Sequence, residues 1–163
     1  MSTSSGLREE ARLTLYEVLL FVHIVAMAVW VGGSIMLGFI SSRVQRTGDA
    51  QFRARFGRTA AVVGPVIGVS AALVLASGIW MVVDSEMVEL SQTWVWLGLA
   101  LFGLSGIVGA AYFGPASNKI VAALDSGQVE EADRRAKTFN MVSQLDTLLL
   151  LVIVGVMVFK PGA

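Results

Sequence analysis

Cysteine is absent from these 163 residues, histidine occurs once and proline three times. Without cysteine the chain forms no disulfide, iron–sulfur cluster or thiolate metal site, and it has no cysteine nucleophile. With His23 alone, a haem held between two imidazoles is beyond a single copy of the chain. Charge is scarce as well: 15% of residues are charged, and 12 Lys and Arg balance 12 Asp and Glu. That balance leaves no electrostatic footprint for a nucleic-acid partner. No Gly-rich phosphate loop, nucleophile elbow or pair of catalytic carboxylates occurs, so hydrolytic and nucleotide-dependent chemistries have no motif here.

What the chain has instead is apolar length. Hydrophobic residues make up 55% of it and the mean hydropathy is +0.73, more apolar surface than a soluble domain of this size hides from water. Four runs, about Val18 to Ile40, Ala60 to Val83, Trp94 to Phe113 and Met141 to Phe159, are long enough to cross a bilayer core of about 30 Å as helices. None shows the dyad alternation of a barrel strand. The expected fold is an all-α, polytopic membrane protein. It is a single four-helix bundle over residues 1–163, with helices near 13–41, 57–83, 93–116 and 128–159 and a cytoplasmic extension on the last. The first run is too long for a signal h-region and reads as a retained helix.

Arg43, Arg46, Arg53, Arg55 and Arg58 lie between the first two runs, and Lys119, Arg134, Arg135 and Lys137 between the last two. The middle loop carries Asp84, Glu86 and Glu89 with no basic residue. The positive-inside rule therefore puts both termini outside, in the inner membrane of a bacterium. Tyr16, Trp80, Trp94 and Trp96 then form an outer aromatic belt. Small residues at three- or four-residue spacing, Gly57, Ala61, Gly64, Gly68, Ala72 and Ala76, give the second helix a smooth face for close packing, and Gly106, Ala110 and Gly114 repeat the device on the third. Such faces suit a homo-oligomer within the lipid bilayer; no other partner is identifiable.

The residues that could carry chemistry are few. His23 lies inside the first membrane helix, where an ionisable group is a functional hypothesis by default. At about 100° per residue, Tyr16, His23, Met27, Trp30 and Ser34 form one stripe that should face protein. Gly78, Gly98 and Gly155 fall near the depth of His23 and leave room beside it. A flat macrocycle ligated through the imidazole needs such room, and so does a metal ion held by His23 and Met27 at i, i+4, with Met81 as a further thioether. The cofactor-binding candidates are therefore His23, Met27, Trp30 and Gly78, and the metal candidates His23 and Met27. Haem b stands ahead of copper. In the alternative, no cofactor binds, His23 bonds a carbonyl or a serine such as Ser77, and the protein is a structural or accessory one. A small channel or transporter is the third reading, and the apolar middle of all four helices argues against its polar file. On the inner side, Asp146 is expected to pair with Arg58, or with Arg55, and a proton relay is its sharper alternative.

The segment His23-Ile-Val-Ala-Met-Ala-Val-Trp30-Val-Gly32-Gly33 resembles the first helix of bacterial membrane proteins of the copper-resistance-D-like superfamily. Ser77-Gly78 is similar to a Ser-Gly or Thr-Gly near the outer end of their second helix. The resemblance covers nearly the whole chain. It implies relatives that include the HemJ-type protoporphyrinogen oxidase, whose first-helix histidine is a proposed haem ligand and maps onto His23 alone.

Overall fold

The computed structural model describes residues 3–47, 49–84 and 91–162. Four helices run up and down: α1 (Thr3–Arg46), α2 (Ala50–Asp84), α3 (Thr93–Asp125) and α4 (Val129–Phe159). Each contains a stretch long and apolar enough to cross a membrane, and the fold is the expected all-α bundle. Glu86 and Glu89 of the acidic loop lie outside the described residues.

The helices overrun the apolar runs at the basic end, because Arg, Gln, Ala and Glu there are good helix formers whatever their hydropathy. Local chemistry sets the ends. Asp49 starts α2 by accepting the backbone N–H groups of Gln51 and Phe52 at 2.9 and 3.1 Å. Gly127 closes the turn after α3 with φ +74°, a conformation that costs glycine nothing. Helix α2 continues through Pro65 without a break.

Helix α3 is not uniform. It is α-helical over Thr93–Val108, widens to a π-turn over Gly109–Phe113, and resumes over Gly114–Asp125. Pro115 has no N–H for the carbonyl of Ala111 and its ring would crowd that carbonyl; the wide turn just before it relieves both. The turn also brings two consecutive aromatics, Tyr112 and Phe113, onto Phe139 of α4, with centroids 6.4 and 5.1 Å away.

The packing order is a ring. Helix α1 lies against α2 and α4, α4 against α3, and α2 meets α3 along Gly114–Asp125, with little direct contact along Thr93–Val108. The bundle is thus closed at the basic end and parted between α2 and α3 at the other. The principal core is Ala26, Trp30, Val74, Leu150 and Ile153. Large apolar side chains such as Phe21, Phe39, Val62 and Ile107 point outward, as lipid contact requires.

Charged groups at the basic end pair locally. Arg134 and Arg135 both bridge to Glu131, and Arg53 Nε lies 3.4 Å from Asp133 Oδ1. The expected pair of Asp146 with Arg58 does not form. Arg58 Nη2 donates to Asp125 Oδ1 at 2.9 Å, whereas Asp146 Oδ1 accepts the hydroxyl of the buried Ser105 at 2.8 Å. Height along the bundle explains the correction. From the Arg53–Asp133 contact, Arg58 is five residues up α2 and Asp146 thirteen up the parallel α4. Those eight residues amount to about 12 Å, beyond the reach of the guanidinium.

The small-residue faces also point elsewhere than into the bundle. Of the α2 series only Gly57 meets a neighbour, Val121; Ala61, Gly64, Gly68, Ala72 and Ala76 are exposed, and a Cβ added at Gly64 or Gly68 would meet nothing within 4 Å. Gly106, Ala110 and Gly114 are exposed too. The close approach these residues permit is not made within one chain.

Candidate functional site

Where α2 and the Thr93–Val108 half of α3 part, the bundle encloses a cavity of about 300 Å³ lined by all four helices. Its volume is at the lower end of the range of small-molecule and cofactor sites. Trp30, tilted against Phe102 at 4.9 Å between centroids, forms the floor with Leu150 and Val74. Tyr16, Val82, Trp94 and Lys160 stand at the mouth.

His23, Met27, Trp30 and Gly78 all line this one cavity, as does Tyr16 from the same stripe of α1; Ser34 does not. Gly78 sits directly beneath the imidazole: a Cβ there would lie 3.1 Å from His23 Cε1. Gly98 lines the opposite wall, and a Cβ there would overlap the Met157 methyl. Gly155 meets only Phe159 of its own helix and lies outside the lining.

The hydrogen bonds around His23 define which ring nitrogen is available. The Ser77 hydroxyl has one proton and directs it to the Leu73 carbonyl at 2.6 Å, with Val74 at 3.3 Å as the weaker choice. His23 Nδ1 lies 3.0 Å from the same oxygen, so Nδ1 must be the donor. The neutral tautomer with Nδ1–H leaves the Nε2 lone pair free, on a ring that lines the cavity, with no hydrogen-bond partner among the described residues. A histidine whose Nδ1–H is tied back to an oxygen while Nε2 faces open space has the outer-sphere arrangement of a metal-ligating imidazole.

Two lining residues with donor groups were not legible in the sequence. Met157 brings a third thioether to the cavity beside Met27 and Met81, and Lys160 brings its only ammonium group. Met157 is indistinguishable by pattern from a lipid-facing filler, and Lys160 follows the last apolar run, where a lysine ordinarily marks a helix end. Trp94 departs from the expected belt: it is buried, with its indole N–H donating to Gln92 Oε1 at 2.8 Å, whereas Trp80 and Trp96 are 57% and 62% exposed. No group of three or more His, Cys, Asp or Glu able to hold a metal occurs among the described residues. A smaller cavity of about 80 Å³ at the basic end is bordered by Gln45, Arg53 and Asp133.

No curated protein and no solved structure matches the chain. A family model does match, over residues 17–161, and its description is "Predicted integral membrane protein". The match takes in all four helices and every residue lining the cavity except Tyr16, and the chain therefore belongs to the DUF2269 family of integral membrane proteins.

Proposed function

We propose that the cavity is a b-type haem site with His23 as the iron ligand, and that the protein serves membrane redox chemistry from the inner membrane, its basic end in the cytoplasm. The observation that carries this reading is the Ser77-held imidazole, whose Nε2 is left free beside an apolar cavity. The single imidazole suits a b-type iron, Gly78 packs against the ring and leaves its other side to the cavity, and Trp30, Phe102 and Leu150 close the floor to water. Bound haem supplies one-electron chemistry. The protein's part is to fix the imidazole through Ser77, exclude water and admit a flat molecule between α2 and α3. The likeness of His23 to Gly33 to the first helix of the copper-resistance-D-like superfamily, whose relatives include one haem-associated enzyme, supports the same reading.

Spectra of the detergent-purified protein, from cells that make haem, test it. A Soret band that sharpens and shifts on dithionite reduction is the expected result; a featureless spectrum sinks the reading. Copper is the second reading, favoured by Met27, Met81 and Met157 beside His23, soft donors suited to copper(I). It requires stoichiometric copper in the same sample by elemental analysis.

Ser77→Ala isolates the outer sphere. It removes the acceptor that orients Nδ1–H while leaving Nε2 in place, so haem should bind about tenfold or more weakly in a folded protein. Unchanged affinity in a haem titration would mean that the Ser77 contact positions nothing.

We also propose self-association through the exposed Gly64, Gly68, Ala72 and Ala76 face of α2, where another backbone meets no side chain in its way. Native mass spectrometry should then give a multimer that Gly68→Leu dissociates, and a monomeric wild type would refute it.

A further inference from the structure

Lys160 ends α4 as a left-handed cap, φ 43°, its backbone N–H donating to the Val156 carbonyl at 3.0 Å, and the chain turns there. Pro161 follows, and Gly162, at φ +80°, lies so close to Thr93 that a Cβ there would be 3.3 Å from the threonine side chain. The chain after α4 is therefore folded back onto the start of α3. The effect is to carry Lys160 Nζ over the buried Trp94 ring, 5.2 Å from its centroid, at the mouth of the cavity.

The ammonium group has three donors and no acidic partner among the described residues. Its height matches the ligand site below. From the point where Gly38 faces Ser143, Lys160 is seventeen residues up α4 and His23 fifteen up α1, a difference of about 3 Å. A molecule reaching from His23 to Lys160 needs an apolar body for the walls and an anionic edge for the mouth. Contact between α2 and Thr93–Val108 is sparse below Val82, which packs on the Trp94 and Val95 cluster, and this is the side on which such an amphiphile would enter.

We propose that Lys160, braced on Trp94, receives the carboxylate edge of the ligand, so that the cavity selects a tetrapyrrole with free peripheral carboxylates and takes it in sideways from the membrane. This rests on the haem reading above. The test uses the full chain in nanodiscs of neutral lipid, titrated with hemin and with hemin dimethyl ester, whose carboxylates are masked. Hemin should bind more tightly than the ester. Lys160→Gln should weaken hemin about fivefold, the upper end for a single exposed ion pair, leave the ester unchanged, and be rescued by Lys160→Arg. Equal affinities for both ligands in the wild type, with no effect of Lys160→Gln, would overturn the role of Lys160 and leave the haem site standing. Failure of the wild type to bind either would overturn the haem reading itself. Release of hemin by phosphatidylglycerol from the wild type and not from Lys160→Gln would assign the ammonium to a lipid phosphate instead, which also overturns the proposal.

Discussion

His23→Ala is expected, on the proposed haem reading, to yield a folded protein without the Soret band of the wild type. The fold survives because the substitution orphans little: the Ser77 hydroxyl keeps its proton on the Leu73 carbonyl, and the imidazole already borders a cavity. The cost is one hydrogen bond, about 1 kcal/mol, seen as a small drop in melting temperature. The spectroscopic effect should be large, since no second imidazole or thiolate exists in the chain to take over the iron and the thioethers of Met27, Met81 and Met157 are weaker ligands. The structural alternative, in which His23 only ties α1 to α2, expects the same small drop and identical spectra before and after. Absorption of wild type and variant, measured on samples of equal helicity, separates the two.

The largest effect on stability is expected at Leu150, the one large side chain fully buried among the described residues, with 0% exposure. It stands where Ala26, Trp30 and Val74 from α1 and α2 meet α4, directly under the cavity. In lipid the burial of apolar surface drives little, so what Leu150→Ala loses is packing: dispersion contacts on every side, and a void that helices pinned by Trp30 cannot collapse. Soluble proteins put such losses at about 2–5 kcal/mol, and the lower half of that range applies where the hydrophobic term is small. Leu151→Ala is the control. Leu151 is 49% exposed, on the lipid side, and its truncation should cost less than about 0.5 kcal/mol. Equal melting shifts for the two variants in detergent would show that Leu150 is not the keystone of the bundle.

Much of this was legible in one dimension. Hydropathy located all four helices, because satisfying the backbone in lipid leaves no other choice. The stripe of His23, Met27 and Trp30 needed only the 100° step of a helix, and all three line the same cavity. Relations between helices were another matter. The Asp146–Arg58 pairing failed because helices overrunning the bilayer by different amounts hide relative height, which only a contact such as Arg53–Asp133 reveals. Gly64 and Gly68 announce a smooth face without saying which way it turns, and here it turns outward. Lys160 was invisible for a third reason: its importance comes from a backbone reversal at Lys160 and Gly162 that brings it over Trp94, sixty-six positions away in the chain.

The widened turn at Gly109–Phe113 has a consequence for how the third helix carries information along its length. An α-helix repeats every 3.6 residues, and a π-turn takes about one residue more. The two halves of α3 are therefore out of phase by roughly one position. Gly106, Ala110 and Gly114, evenly spaced on paper, do not share a straight meridian. The halves are geared to different neighbours: Val95 to Val156 in the cavity half, Val121 to Gly57 in the half at the basic end. The extra residue acts as the differential between them, letting the cavity end keep its orientation while the basic end is locked into the closed ring.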